Sequence, residues 1–406
     1  MTELSYVDIN FIIHIYFIEM EKRRYAYQFR LKLNQEQIAQ FVQSAGCVRK
    51  VWNHFLAETQ AREDKKYTGY ENQAKALTVL KKEEAFSYLN HAPSQALQQT
   101  LKNLSQAFKA FFEKRAAYPV FKKKANYKVI HFPQGFKLIG EGTIFLPKLG
   151  PVDFIQHRTI HPDFKIKNVY IRQKGKHFEL TLQGEQAVVL PKITLRKMCG
   201  LDLGIKHFLV SSKKEFLSPL NKYQHNLEKL KFLQRKLSLK TKGSHSWHKI
   251  HTQLNSLHHH IANCRKDFNH KLSRYFSDRY DIIACENLSI QKMLEKGSAK
   301  LNLQILDQGW YQFKTFLSYK LAWQGKQLIE VNPAYTSQTC SHCGHIAKAN
   351  RPTQASFCCV KCGLTLNAAE NASRNILLKG FQQLNTLEQG GVVALAIAEA
   401  TSFKAW

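Results

Sequence analysis

Two cysteine pairs, Cys340-Ser-His-Cys343 and Cys359-Val-Lys-Cys362, constrain this chain more than any other feature. Each pair has a glycine directly after it (Gly344, Gly363), and fifteen residues separate the pairs. A CxxC turn aims two thiolates at one ion, and four thiolates complete a closed tetrahedron. The spacing therefore predicts a zinc ribbon, with structural zinc on Cys340, Cys343, Cys359 and Cys362. A closed four-sulfur site has no open position, so no catalysis is assigned to it. His342 and His345 lie nearby, but the sulfurs leave them no vacancy, and Cys358 is a spare thiol. The remaining cysteines (Cys47, Cys199, Cys264, Cys285) are scattered. That is no disulfide framework, and it points to a reducing compartment.

Charge narrows the class further. Sixty Lys and Arg stand against thirty Asp and Glu, a net charge of +30. An acidic partner follows, and nucleic acid is the first candidate. Hydrophobic residues at 44% supply real cores, which excludes a wholly disordered chain. No membrane partner is expected. The apolar run at residues 9–19 is too short to span a bilayer, is interrupted by His14, and lacks the flanks of a secretory signal. Met20 opens a second natural beginning, so residues 1–23 are read as an N-terminal extension.

Texture along the chain suggests an α/β multidomain protein. Residues 25–33 alternate at strand period, and Asn34 reads as the N-cap of a helix through Ile38, Phe41, Val48 and Trp52. A second helix follows Pro93-Ser94. From Pro119, short alternating segments broken by Gly and Pro read as a β-rich barrel or sandwich that includes the first strand, with the helices inserted between. Basic and aromatic residues interleave there, and Lys122, Lys123 and Lys124 are candidate nucleic-acid contacts. An edge strand guarded by lysines is the plain alternative. Residues 199–212 give two strands, and 221–277 give two long basic helices around a break at 242–244. The segments 280–288, 303–324, 326–333 and 367–380 read as strand, helix, strand and helix. The basic helices carry Arg235, Lys236, Arg265 and Lys271 as candidate phosphate contacts. The run His258–His260 holds no metal, because consecutive side chains on a helix diverge.

Asp202 (in Gly-Leu-Asp-Leu-Gly) and Glu286 (in Ala-Cys-Glu-Asn-Leu) each end an apolar strand. Each alone could be a strand-end carboxylate bonded to backbone or arginine. On neighbouring strands, the two could hold Mg²⁺, and paired Mg²⁺ ions drive phosphodiester hydrolysis.

The ordered set GLDLGI, CENL, TSQTCSHCG, FCCVKCG and NASRNIL resembles the TnpB family, the OrfB-type accessory transposases of small bacterial insertion sequences. PSQALQQTLKNLSQAFKAFF, YPVFKKK, FLPKLG and NCRKDFNHKLS add to the likeness, which spans roughly residues 24–380. The resemblance implies an RNA-guided DNA nuclease related to type V CRISPR effectors. It implies a barrel-like wedge domain (24–34 and 118–194), a helical recognition insert (35–117), and a RuvC-like, RNase H fold domain (195–335). A zinc ribbon (336–365), a last RuvC-like helix (366–380) and a mobile tail (381–406) complete it. Guide RNA and target double-stranded DNA would be the partners, in a bacterial cytoplasm at the nucleoid. The family's first two nuclease acids map to Asp202 and Glu286. The third, an Asp after the ribbon, falls on Ala369. The neighbouring Glu370 lies about 100° around a helix and should point elsewhere. A scaffold with impaired or lost cleavage is therefore expected. An active endonuclease that recruits Glu370 or another acid is one alternative, and a guide-independent zinc-ribbon DNA-binding protein is another.

Overall fold

The computed structural model describes residues 20–62, 67–123, 128–175, 177–189 and 197–388. Residues 1–19, most of the expected extension, and 389–406, most of the expected tail, lie outside them, as does Lys124. The chain forms two compact units, residues 1–189 and 190–406.

In the first unit, β1 (Met20–Lys32) starts at Met20, so residues 20–23 belong to the fold and not to the extension expected through 23. Tyr27, Phe29 and Leu31 are buried, while Ala26, Gln28, Arg30 and Lys32, which alternate with them, are exposed. Asn34 then caps α1 (Gln35–Ala61). Its side chain accepts from Gln37 N at 2.8 Å, and its own N–H donates to the Gln37 side chain at 3.1 Å, a reciprocal capping box. The helices α2 (Tyr70–Leu80) and α3 (Ser94–Phe112) follow, with a 3₁₀ turn at Glu84–His91 between them. The sequence reading passed over α2, whose first residue follows a glycine and has no side-chain cap. The strands β2 (Val129–Phe132), β3 (Lys137–Gly140), β4 (Thr143–Leu146), β5 (Gly150–Ile155), β6 (Lys165–Lys174) and β7 (His177–Val189) complete the unit. They form an antiparallel sheet with β1 in order β2-β6-β7-β1-β5-β4-β3. The strand before the helices thus pairs with strands that follow them, Phe29 opposite Leu180. One core joins sheet and helices, so the two segments expected as separate domains fold as one body: Phe29 and Leu180 share a cluster with Phe41, Phe55, Leu101 and Phe108.

The second unit is built on β8 (Met198–Leu203), β9 (Leu209–Ser211) and β10 (Phe216–Leu217), an antiparallel meander. A short α4 (Lys222–His225), then α5 (Leu227–Ser238) and α6 (His245–Arg279), lead to β11 (Ile282–Glu286). The expected break is present: Gly243 has φ 90°, and Ser244 caps α6 by accepting from Trp247 N. The helices α7 (Ile290–Lys296), α8 (Ala299–Gln308) and α9 (Trp310–Trp323) precede β12 (Gln327–Val331). The single helix expected over 303–324 is thus two. Gly309 at φ 67°, a left-handed position that suits glycine, ends α8 and opens α9. Sheet order is β10-β9-β8-β11-β12, with β8, β11 and β12 parallel. After β12 come the cysteine pairs, the small hairpin β13 (Ser356–Cys358) and β14 (Thr365–Asn367), and α10 (Ala368–Glu388). The last helix runs eight residues beyond the expected end at 380, so 381–388 are helix and not tail.

The central sheet has two different faces. Cys199, Leu201, Ile283 and Cys285 pack against Phe276, Phe313 and Leu317 of α6 and α9. Ile282, Ala284, Ile329 and Val331 face Ile376 of α10.

Candidate functional site

The four cysteines of the two CxxC pairs come together as the spacing requires. Their sulfurs lie within 4.8 Å of one another, the only such group of three or more His, Cys, Asp or Glu among the described residues. Cys340 and Cys362 are 3.6 Å apart, Sγ to Sγ, as are Cys343 and Cys359. A tetrahedron with zinc–sulfur bonds of about 2.3 Å has edges of about 3.8 Å, so the donor set fits Zn²⁺. The two halves are built alike. Gly344 N donates to Cys340 O and Gly363 N to Cys359 O, at 3.0 and 2.9 Å, with φ of 75° and 73° at the two glycines. Buried Asn350 ties the halves together. Its amide donates to Gln338 O and His345 O, and its oxygen accepts from Val360 N. Cys358 is exposed and outside the group, and His342 and His345 are likewise no part of it.

The acids meet on the central sheet. β8 and β11 are adjacent and parallel, with Leu201 paired to Cys285, so one further step brings Asp202 level with Glu286. Both project to the face under α10. On β8, a Cβ added to Gly200 would lie 2.2 Å from Ser373 O of α10, and Asp202 is two residues on, on the same side. On β11, Ala284 faces α10, and Glu286 is two residues on. The absence of a side chain at Gly200 therefore lets the helix seat at this distance. Ala369 lies in the first turn of α10, four residues before Ser373, and so on the helix face turned to this sheet. Asn367 fixes that turn by accepting from Ala369 N at 2.9 Å.

Electrostatics mark the pair. Asp202 is pushed up to about 7, first by burial and then by the charge of Glu286, against a lowering pull from Arg351. Glu286 is 9% exposed. Burial raises it, while the Thr336 hydroxyl and the positive charge of Lys379 pull it down. Thr336 Oγ1 donates to Glu286 Oε1 at 2.5 Å. Two carboxylates that resist ionisation side by side fit a divalent cation, which would supply the missing positive charge. Glu370, the next residue, is 8% exposed. Its Oε1 accepts from Arg374 Nη2 at 2.6 Å, one turn along α10.

The basic candidates are dispersed. The ammonium of Lys122 lies 4.2 Å over the Trp52 ring, and its backbone is pinned by Asn53. Lys123 is exposed. Arg235 and Lys236 are exposed on the last turn of α5, with Lys236 over the Phe232 ring. Lys271 pairs with Asp267 at 2.8 Å on the surface of α6. Arg265 is half-buried, donates to Leu306 O and lies 3.8 Å from buried Asp307, tying α6 to α8. Thr336, Asn371 and Asn375 were missed. Their only signal was their place inside the phrases TSQTC and NASRN, which give no hint of which partners they meet.

Three family models match the chain. "Probable transposase" covers residues 181–297, "Helix-turn-helix domain" 20–66, and "Cas12f1-like, TNB domain" 310–376. The described residues of the 20–66 match form β1 and α1. The "Putative RNA-guided DNA endonuclease InsQ" of Escherichia coli is 38% identical over 379 residues, covering 89% of this chain and 94% of that protein. A "Putative RNA-guided DNA endonuclease" of Streptomyces pristinaespiralis is 28% identical over 89% of this chain and 90% of its own length. A solved Cas12f1-sgRNA-target DNA complex superposes with a TM-score of 0.53 at 16% identity, covering 84% of this chain and 83% of that one. The chain belongs to the TnpB family, the OrfB transposases of IS605-type elements.

No described helix is long and apolar enough to cross a membrane.

Proposed function

We propose that this chain is an RNA-guided DNA-binding protein of the TnpB type, built on a RuvC-like nuclease scaffold whose cleavage is impaired or lost. Family membership and the names of its relatives support guiding. The RuvC-like reading is supported by the second unit's sheet, a three-strand meander continued by two parallel strands. The single observation that carries the functional reading is the shared face of β8, β11 and α10. Asp202 and Glu286 emerge there side by side, and the helix turned to them offers Ala369, a methyl group.

In this reading, Asp202 and Glu286 hold Mg²⁺, which would polarise a phosphodiester and lower the pKa of an attacking water. A third carboxylate at 369 would complete the hold on the metal. Without it, the chain keeps its guide and target binding but loses most of its cutting, because pairing and backbone contacts carry recognition. The ribbon holds structural zinc. The β-rich part of the first unit acts as the wedge and its helices as the recognition insert. Guide RNA and target duplex are the partners, and the cytoplasm of a bacterial cell, at the nucleoid, is the place of action.

The reading in which Glu370 replaces the missing acid is opposed by the Arg374 bond that holds its carboxylate. The guide-free reading predicts no defined RNA on the purified protein. The test is a cleavage assay with guide RNA, matched target and Mg²⁺, beside sequencing of the bound RNA. The proposal expects a discrete protected RNA, little cutting by this chain, and strong cutting by Ala369→Asp. Robust cutting by the unaltered chain refutes it.

A further inference from the structure

Glu286 is held by a residue that belongs to the cysteine-pair segment and not to the sheet. Thr336 is 3% exposed, and its hydroxyl reaches Glu286 Oε1 at 2.5 Å and Pro333 O at 2.9 Å. One hydroxyl carries one proton, and an ionised carboxylate is the stronger of the two acceptors. Thr336 lies four residues before Cys340, and α10 grips the segment between them. Asn375 donates to both Thr336 O and Thr339 O, at 2.8 and 2.7 Å. Asn371 donates to Thr339 O at 2.8 Å and accepts from Ser341 N at 3.0 Å. Thr339 and Ser341 flank Cys340, and both asparagines are buried. Just before Thr336, Tyr335 takes φ 61°, an uncommon conformation for a side chain of that size. The turn is therefore held from both ends by contacts and not by its own preference.

We propose that Thr336 is the positioning residue for Glu286, and that the zinc-bearing knuckle holds Thr336 in register through Asn371 and Asn375, so that the thiol site governs the geometry of the carboxylate pair. This rests on the reading of Asp202 and Glu286 as a divalent-cation site. The bond leaves Glu286 one anchored oxygen and removes the rotation that would let it turn from Asp202. A ligand carboxylate oriented by a fixed donor binds its metal more tightly than a free one, by about tenfold or more.

The experiment titrates Mn²⁺ into the full-length zinc-loaded protein and follows free Mn²⁺ by electron paramagnetic resonance. The component lost in Asp202→Asn defines the site. Thr336→Val is expected to weaken that component about tenfold, and Thr336→Ser to restore it. Asn375→Ala, which keeps the hydroxyl and all four thiols, is expected to weaken it in the same direction with one zinc still bound. The double variant should be no worse than Thr336→Val alone, because both act through one bond. If Thr336→Val loses its cooperative melting transition, Asn375→Ala carries the test. Wild-type affinity in that variant, with zinc retained, overturns the inference and leaves the carboxylate site standing. Absence of any Asp202-dependent Mn²⁺ in the unaltered protein overturns the site itself, and the inference with it.

Discussion

The thiol tetrad and the carboxylate pair lie at the two ends of one connected structure, and they differ in how their parts are supplied. The tetrad draws all four ligands from 23 consecutive residues, in two turns with matching glycines. The carboxylates come from strands 84 positions apart in the chain, and the face opposite them comes from a helix 83 positions further on. A local site survives as long as its own spacing survives. A non-local site depends on strand register, on the seat of α10 against Gly200, and on each distant segment keeping its residue. The tetrad has all four of its thiols, and the carboxylate pair faces alanine at 369. That contrast teaches that a site written in adjacent residues rests on one stretch of chain, whereas one assembled from distant segments can be altered at any of them.

The sharpest way to break this comparison is to damage the local site. Cys359→Ser should drop zinc from one per chain to near none and make residues 338–367 the first point of proteolysis. Structural zinc in small modules carries on the order of 10 kcal/mol of folding free energy. Retained zinc and an intact ribbon would show that the tetrad is not the unit described. Next in size, Ala369→Asp should raise guided cleavage by orders of magnitude, and adding Asp202→Asn to it should abolish the gain. A gain that survives Asp202→Asn would separate the helix from the strands. Third, Gly200→Ala puts a methyl 2.2 Å from Ser373 O, where only backbone movement can make room. It should destabilise the second unit by about 1–3 kcal/mol in a denaturant melt.

A smaller effect lies in pH. The Asp202 carboxyl titrates near 7 in the folded chain and near 4 unfolded, so between those values the folded state binds more protons. Its contribution to stability is therefore lost as pH rises through that window. Asp202→Asn should raise the melting temperature of metal-free protein at pH 8 and leave it almost unchanged at pH 4. Mg²⁺ should narrow the pH 8 difference by stabilising only the unaltered chain. The smallest effect on cutting is expected from Glu370→Gln, which removes the charge that buried Glu370 offers Arg374 and should leave cleavage by Ala369→Asp within about a factor of two.

The ribbon, the break at 242–244, the buried strand to Glu286 and the capped first helix were legible because each is written in adjacent residues. Asn34 and Gln37 show a capping box on their face, and Cys-x-x-Cys-Gly shows a metal turn. The break at Gly309 was equally local but was absorbed into the apolar period on either side. The Arg265–Asp307 pair was not legible, because charge in sequence does not tell which arginines find a buried acid, and Asp307 is 42 residues away. Asp202 and Glu286 could be suspected from their strand ends. Thr336, Asn371 and Asn375 could not be, because a hydroxyl or amide declares its role only through the partner it meets. The β1 start at Met20 was hidden by charged residues, Glu21 to Arg24, which carry no apolar alternation while their backbones pair with Val188 to Glu185 of β7.

Alanine at 369 has a further consequence for how such a chain can change over generations. Alanine suits a helical first turn well, and its methyl group adds no third negative charge beside two carboxylates that already ionise reluctantly. Folding therefore gives no resistance to alanine at this position. A guided binder can arise from a guided cutter in one silent step as far as stability is concerned, and only selection on the DNA itself would register the change.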